Sequence, residues 1–177
     1  MALNEMNRIL AQLQRVGDCL PTDAAERAAR RILSHERVFV HGAGRSGLML
    51  RALAMRLAQM GRCVYVAGET VTPAIRRGDL LIVASASGTT ASVLRAAEVA
   101  RSCGADVLTI TATADSPLTA VHPADVLMDT PTKDRAQADG QAMGSLFEQA
   151  LLIFGDAVVQ CMGADPLQMR KNHANLE

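Results

Sequence analysis

The 177-residue chain is poor in aromatic residues, with no Trp, one Tyr and three Phe. Proteins that bind single-stranded nucleic acid stack the bases on several aromatic side chains, so this composition argues against that class. The 18 basic and 18 acidic residues cancel to a formal net charge of zero, whereas duplex binding needs an excess of Lys and Arg to replace phosphate counterions. The composition therefore predicts no nucleic-acid partner.

Cysteine is also sparse, and its spacing excludes the common zinc arrangements. The four cysteines are Cys19, Cys63, Cys103 and Cys161, and no two of them form a C-x-x-C pair. Zinc ligands cluster at much shorter spacings than these. We therefore predict no metal site, and we expect four buried, reduced thiols in a cytoplasmic protein.

Long hydrophobic runs are missing as well. A membrane-spanning helix needs about 18 or more uninterrupted apolar residues, and the nearest approach, residues 142–155, is interrupted by Glu148. The first twenty residues carry a charge every few positions, so we expect no signal peptide. We predict a protein that has no membrane partner.

What the chain does contain is enough apolar material for a core, since 49% of its residues are hydrophobic. Its length fits one compact domain. We predict a single domain over 1–177, made of N-terminal helices in 1–34, an α/β core in 35–162 and a polar C-terminal tail in 163–177.

Predicted helices and strands alternate along this chain. Helical spacing of apolar residues predicts a first helix before Pro21, and Asp23 with Glu26 is typical of the start of a second. Short apolar segments predict five strands, over 37–41, 63–66, 79–84, 106–111 and 124–128. Three further helices are predicted over 48–60, 91–102 and 142–162. This alternation predicts an α/β fold, with a five-stranded parallel sheet flanked by helices in a flavodoxin-like three-layer sandwich.

Two loops rich in glycine and hydroxyl groups follow the first and third predicted strands, over 42–47 and 85–90. Parallel sheets bind ligands beyond the carboxyl ends of their strands, and each loop precedes a helix whose free N–H groups favour an anion. Taken alone, Thr89 and Thr90 fit the role of helix caps equally well. Together the loops predict a phosphate site whose candidate residues are Gly44, Arg45, Ser46, Ser85, Ser87 and Thr90.

The first loop also matches the dinucleotide fingerprint G-x-G-x-x-G, and Glu69 lies roughly 20 residues further on, where a ribose-binding acid belongs. The chain has no room for a separate catalytic domain, and a dinucleotide would leave the 85–90 loop without a role. A nicotinamide or flavin enzyme therefore stays an alternative. We favour a protein that needs no cofactor.

The two loops, with Gly68-Glu-Thr-Val-Thr-Pro73, Gly144-Ser-Leu-Phe-Glu148 and the terminal His173-Ala-Asn-Leu-Glu177, resemble the sugar isomerase (SIS) domain family. Within that family they are most similar to the 6-phospho-3-hexuloisomerases of the ribulose monophosphate pathway. Ala86 and Thr89 stand where the family usually has Gly and Glu, which removes a charge near the sugar. The resemblance implies a metal-free isomerase that interconverts D-arabino-hex-3-ulose 6-phosphate and fructose 6-phosphate in formaldehyde assimilation, and a homotetramer.

Such an isomerase needs a base whose pKa lies near neutrality, because a proton leaves one carbon and returns to its neighbour. Glu148 is the candidate base, since burial in an apolar helix raises the pKa of a carboxyl group. Its alternative role is to interact with the helix dipole. The resemblance also implies that His173 acts as an acid, in its own or a neighbouring subunit, and Glu69 is a candidate sugar contact. His41 is expected to be a packed residue.

Two other functions stay open within the same fold. One is another SIS isomerase, which moves a carbonyl between C1 and C2 of an aldose and a ketose phosphate. The other is a sugar-phosphate sensor without catalysis. Apolar residues cover every side of the helix predicted over 142–162, and a helix of that kind must be covered all round. We therefore expect a homo-oligomer in which a partner subunit covers part of it.

Overall fold

The computed structural model describes residues 4–135 and 140–175, so the terminal His173–Glu177 string is described only as far as Asn175. Helices and strands alternate, as predicted. Their order is α1 (Glu5–Cys19), α2 (Ala24–Leu33), β1 (Arg37–Gly42), α3 (Gly44–Gln59), β2 (Cys63–Val66), β3 (Leu80–Ser85), α4 (Ala91–Ser102), β4 (Asp106–Thr111), α5 (Pro117–Val121), β5 (Val126–Leu127), α6 (Ser145–Cys161) and α7 (Pro166–Lys171). A single 3-10 turn, Ala142–Gly144, leads into α6.

The five strands form one parallel sheet in the order β2-β1-β3-β4-β5. The first strand in the chain is β1. Strand β2 lies on one side of it, and β3, β4 and β5 follow in turn on its other side. The connection that follows β1 and the connection that follows β3 therefore lead toward opposite edges of the sheet. Open sheets of this type bind ligands between two such strands. The predicted α/β fold is confirmed.

The central strands β1, β3 and β4 are largely buried on both faces because helices cover both. Every residue of β3 is buried, as its unbroken apolar run predicts. Alternate residues point to opposite faces: Val38, Val40 and Ile82 pack in the core under α2, α3 and α6. Phe39 and Leu81 pack in a second core under α4.

Helix α6 is the most apolar of the helices. Phe147, Leu151, Phe154 and Val158 recur at helical spacing and are buried against the first core. Ile153 on the outer side stays 52% exposed. By length and composition the stretch Ala142–Cys161 could cross a membrane, contrary to the sequence prediction, but half of it is buried inside the domain. That burial is what a core helix shows.

Several predicted boundaries shift. Helix α3 begins at Gly44 instead of residue 48, so the first glycine-rich loop is largely its first turn. Helix α5 was not predicted, although Ser116 and Thr119 form a capping box at its start. The predicted polar tail contains the short helix α7.

The expectation of buried cysteines is wrong, since all four thiols are exposed and unpaired. Their positions are the physical reason. Cys19 and Cys161 are the last residues of α1 and α6, Cys103 follows the last residue of α4, and Cys63 opens the edge strand β2. These four positions lie at the domain surface, although cysteine is an apolar residue. In the residues that the structure describes, no group of three His, Cys, Asp or Glu side chains is arranged to hold a metal ion.

Candidate active site

The two glycine-rich loops lie side by side at the carboxyl ends of β1 and β3. The register that pairs Gly42 with Ala84 brings both loops to the same level of the sheet. Between them lies a cavity of about 320 Å³. It is lined by Ala43, Gly44, Arg45, Ser46, Ala84, Ser85, Ala86, Ser87, Thr90, Thr132, Lys133, Met143, Gly144 and Glu148. Seven of the nine residues predicted for the site, all except Glu69 and His173, line this one cavity.

The 42–47 loop is tight because two glycines pack against each other. A Cβ atom on Gly47 would lie 2.4 Å from the carbonyl oxygen of Gly42, which no side chain can tolerate. This close approach turns the chain directly from β1 into α3. Ser46 therefore sits in the first turn of α3 and lines the cavity.

The 85–90 loop is held by its own hydroxyl groups. Ser85 Oγ and Thr90 Oγ1 are 3.0 Å apart, and Ser85 Oγ also accepts a hydrogen bond from Gly88 N at 3.2 Å. Ser87 Oγ and Thr89 Oγ1 form a second pair at 2.8 Å. Thr90 occupies the cap position of α4, yet its side chain makes no capping hydrogen bond. The hydroxyls of this loop are thus arranged across the loop, and not as a helix cap.

Helices α3 and α4, which begin at the cavity, differ from the other α-helices at their N-termini. Side chains of Asn4, Ser116 and Asp165 cap α1, α5 and α7. Helices α3 and α4 have neither a side-chain cap nor an acidic residue in the first turn, a combination found in no other α-helix of the described ranges. The first N–H groups of a helix need an acceptor. A bound anion would supply one to both helices at once.

Glu148 lies in the first turn of α6, and its side chain is only 15% exposed. Burial raises the pKa of this carboxyl group, and the nearby positive charge of Arg45 offsets part of that rise. Arg45 Nη1 lies 2.7 Å from Glu148 Oε2, but the geometry is not that of a hydrogen bond, and Oε2 has no such partner in the described parts of the chain. Glu148 is therefore a buried carboxylate close to the positive charge of Arg45 but without a hydrogen bond from it. A carboxyl group whose pKa is perturbed by burial and a charged partner in a cleft is typical of a functional site.

Arg45 also touches the residue that opens α6. Its Nη1 donates a hydrogen bond to Ser145 Oγ at 2.9 Å, and Ser145 Oγ in turn donates to the carbonyl oxygen of Ala142 at 2.7 Å. Arg45 therefore links the first turn of α3, which belongs to the 42–47 loop, to the first turn of α6, which carries Glu148.

The far wall of the cavity comes from residues that the sequence did not suggest. Thr132 and Lys133 follow β5, and Met143 and Gly144 precede α6. Met143 and Gly144 both adopt left-handed backbone angles, with φ of 58° and 79°, and this turn aims α6 at the cavity. The available signal was Lys133, one of two lysines in the chain, in a polar stretch close before the Gly144–Glu148 string.

Two predicted site residues lie elsewhere in the chain. Glu69 pairs with the exposed Arg51 of α3 and does not line the cavity. His173 lies at the opposite end of α3, where Asn172 Nδ2 donates to the carbonyl oxygen of Gln59 at 2.8 Å. A helix of 16 residues is about 24 Å long, so His173 cannot reach the cavity of its own chain.

Larger cavities exist, but they lack this chemistry. An apolar groove of about 480 Å³ runs between α1, α2 and α6, lined by Leu13, Val16 and Phe154 among others. A groove of about 540 Å³ beside α7 includes His173 and Asp156. Neither is lined by the 42–47 loop or the 85–90 loop. His41, at the end of β1, is outside these cavities, and its Nε2 is buried without a partner in the described residues, in line with the packed residue expected.

Comparison with known proteins agrees with this geometry, since the SIS domain matches residues 31–158. The chain belongs to the SIS domain family. This SIS domain is 46% identical over 155 residues to the 3-hexulose-6-phosphate isomerase of Mycobacterium gastri, covering 84% of the chain and 78% of that protein. It is 39% identical to the 3-hexulose-6-phosphate isomerase of Bacillus subtilis, covering 96% and 95%.

The SIS domain also superimposes on a crystal structure from Methanococcus jannaschii with a TM-score of 0.84 and 28% identity, over 99% of the chain and all of that protein. That protein was inferred from its structure to be a 3-hexulose-6-phosphate isomerase. The family predicted from the sequence is thus confirmed.

Proposed function

We propose that this SIS domain is an isomerase that interconverts D-arabino-hex-3-ulose 6-phosphate and fructose 6-phosphate. The sequence prediction and the names of the relatives from Mycobacterium gastri and Bacillus subtilis agree on this activity. The observation that carries the proposal is the placement of a buried carboxylate, Glu148, in the same cavity as two uncapped helix starts. The two helix starts bind a phosphate, and Glu148 moves a proton.

The phosphate of the substrate binds at the starts of α3 and α4. One small anion in this cavity would lie near the free N–H groups of both first turns and the hydroxyl groups of Ser46 and Ser87. Gly42 and Gly47 keep the first turn close enough for its backbone to reach the ligand. The phosphate is remote from the reacting carbons, so its role is to hold the sugar in position.

Glu148 acts as the base. In the direction from 3-ketose to 2-ketose, its carboxylate removes the proton from C2, which leaves a cis-enediolate across C2 and C3. The hydroxyl proton on O2 passes to O3, the same carboxyl group returns the carbon-bound proton to C3, and the carbonyl now stands at C2. Electrons and protons balance within the substrate, so the reaction consumes no oxidant. The raised pKa of Glu148 brings its proton affinity toward the range that this transfer needs.

The finer assignments belong to the same proposal. We propose a single-domain, cytoplasmic enzyme of formaldehyde assimilation by the ribulose monophosphate pathway, and a homotetramer. Exposed apolar side chains such as Ile153 and Met55 support contacts between copies. Because His173 lies at the far end of α3 from its own cavity, we propose that it assists ring opening in a neighbouring subunit's site, and that Glu69 contacts the sugar only across such an interface.

The proposal is tested by supplying the 3-ketose and following the products by carbon NMR. We expect fructose 6-phosphate to accumulate to equilibrium, and fructose 6-phosphate alone to return the 3-ketose. Formation of glucose 6-phosphate or mannose 6-phosphate instead would assign the protein to the aldose–ketose isomerases. Binding without any product would support a sensor.

A further inference from the structure

Arg45 stands between the two halves of the site, and its contacts conflict with the role of the loop that carries it. The 42–47 loop and the start of α3 are suited to an anion, yet the guanidinium of Arg45 is turned toward Glu148 and Ser145 on α6. Its side chain is 53% exposed, so there is room for it to rotate once these two contacts break. The carboxylate that holds it is buried and makes no aligned hydrogen bond with it.

We propose that Arg45 exchanges partners during turnover: it pairs with Glu148 in the empty site and turns to the phosphate when the substrate binds, which leaves Glu148 without a counter-ion. This inference rests on the proposed function, because it needs a phosphate at the starts of α3 and α4. It makes Arg45 a positioning residue that couples phosphate binding to the strength of the base.

The charges around the cavity favour this exchange. Its charged side chains are Arg45, Lys133 and Glu148, and Lys133 is exposed in the loop after β5. A phosphate dianion offers Arg45 twice the charge of Glu148 and the paired oxygens that a guanidinium binds in a bidentate manner. Ser145 gives up only one hydrogen bond, which its hydroxyl oxygen accepts from the guanidinium, when Arg45 leaves.

The consequence for catalysis follows from the same contacts. Burial raises the pKa of Glu148 and the charge of Arg45 lowers it, so the departure of Arg45 makes the carboxylate a stronger base while the sugar is present. Binding energy from the remote phosphate is then used at the reacting carbons. In the empty site the positive charge of Arg45 favours the ionised form of Glu148.

The exchange is tested with inorganic phosphate as the probe, by isothermal titration calorimetry at a pH where phosphate is dianionic. The proteins are the wild type, Glu148→Gln, Arg45→Gln and the double variant. If Arg45 is shared, Glu148→Gln frees it, and phosphate should bind about fivefold more tightly or better. That gain should largely disappear in the Arg45→Gln background, because no guanidinium is left to free.

The matched control is Asp156→Asn, which removes a negative charge from the same helix two turns further along and outside the cavity. It should leave phosphate affinity unchanged. An equal gain from Glu148→Gln in both Arg45 backgrounds would mean simple repulsion and would overturn the exchange, as would no gain in either. Failure of every protein to bind phosphate would instead overturn the anion site, and the proposed function with it. Unchanged thermal melting of the variants would show that they are folded.

Discussion

An Arg–carboxylate pair lies at each end of the parallel strands. Arg37 and Asp79 pair at the amino-terminal ends (the amino edge), and Arg45 and Glu148 pair at the carboxyl-terminal ends (the carboxyl edge). The two pairs differ in their hydrogen bonds. At the amino edge, Asp79 is 4% exposed and accepts hydrogen bonds from Arg37 Nε at 2.8 Å, Arg37 Nη2 at 2.5 Å and Arg76 N at 2.7 Å. At the carboxyl edge, Glu148 is nearly as buried but accepts no aligned hydrogen bond from Arg45.

The pKa values of the two carboxyl groups are shifted in opposite directions. The hydrogen bonds from Arg37 hold the pKa of Asp79 below its usual range, although burial opposes this. Burial raises the pKa of Glu148, and Arg45 only partly offsets it. A closed pair of the first kind stabilises a fold, whereas an open pair of the second kind leaves a base ready to react. We propose that this difference separates a structural edge from the edge that carries the base.

The largest expected effect comes from breaking the open pair. Glu148→Gln keeps the shape of the side chain and removes the base, so kcat should fall by about 10²- to 10⁴-fold, measured in a discontinuous product assay. Phosphate should still bind. Asp156→Asn on the same helix serves as the control and should keep wild-type kcat. A Glu148→Gln protein with near-normal kcat would assign the carboxylate to the helix dipole.

Breaking the closed pair should affect folding and not chemistry. Asp79→Asn leaves Arg37, which is 14% exposed, without its counter-ion, and we expect the free energy of unfolding to fall by about 3 kcal/mol. Urea denaturation measures this. Glu26→Gln, which breaks an exposed pair with Arg30 on α2, should change stability by less than about 0.5 kcal/mol. Similar losses in the two variants would mean that the amino edge carries no special stabilisation.

A smaller effect is expected from a change in the 85–90 loop. Ser87→Ala removes one hydroxyl from the cavity and should raise KM by about tenfold, the value of a hydrogen bond to a charged group, while kcat changes little. An anchor binds ground state and transition state alike, so the loss appears in KM. Steady-state kinetics with the 3-ketose phosphate measure the split, and a pure decrease in kcat would contradict the anchoring role.

The smallest effect is the dependence of stability on pH. A carboxyl group whose pKa is raised on folding binds more protons in the folded state, so ionising Glu148 lowers stability as the pH rises above the ordinary carboxyl range. Asp79 has a lowered pKa, so it adds stability that is lost as the pH falls below that range.

The two slopes can be separated by substitution. Relative to the wild type, Glu148→Gln should gain stability as the pH rises from the acid side toward neutrality, and Asp79→Asn should lose it. The charged neighbours of Glu148 at the cavity, Arg45 and Lys133, keep their charge across this range. Thermal melting as a function of pH measures both slopes, and parallel curves for Glu148→Gln and the wild type would contradict the raised pKa.

Much of the fold and of the candidate site could be predicted from local sequence. The apolar run of β3, the glycines of the 42–47 loop and the hydroxyls of 85–90 act through neighbours a few residues away, so their patterns predicted both strands and both loops. Glu148 stood out because it is the one acidic residue in the first half of an otherwise apolar helix. The open geometry of its pair with Arg45 involves residues about a hundred positions apart, and no local pattern predicts it.

The remaining differences have the same origin. Lys133 and Thr132 reach the cavity only because the chain after β5 folds back over the sheet, and His173 is placed at the far end of α3 by the contact of Asn172 with Gln59. The exposed cysteines depend on where elements end, which sequence patterns predict least well. Such placements are tertiary, and composition and periodicity carry no information about them.

The most direct test of the account is proton NMR of fructose 6-phosphate incubated with the protein in heavy water. The account predicts deuterium at C3, formed through the 2,3-enediolate, and none in Glu148→Gln. Deuterium at C1, or undiminished exchange at C3 in Glu148→Gln, would contradict it.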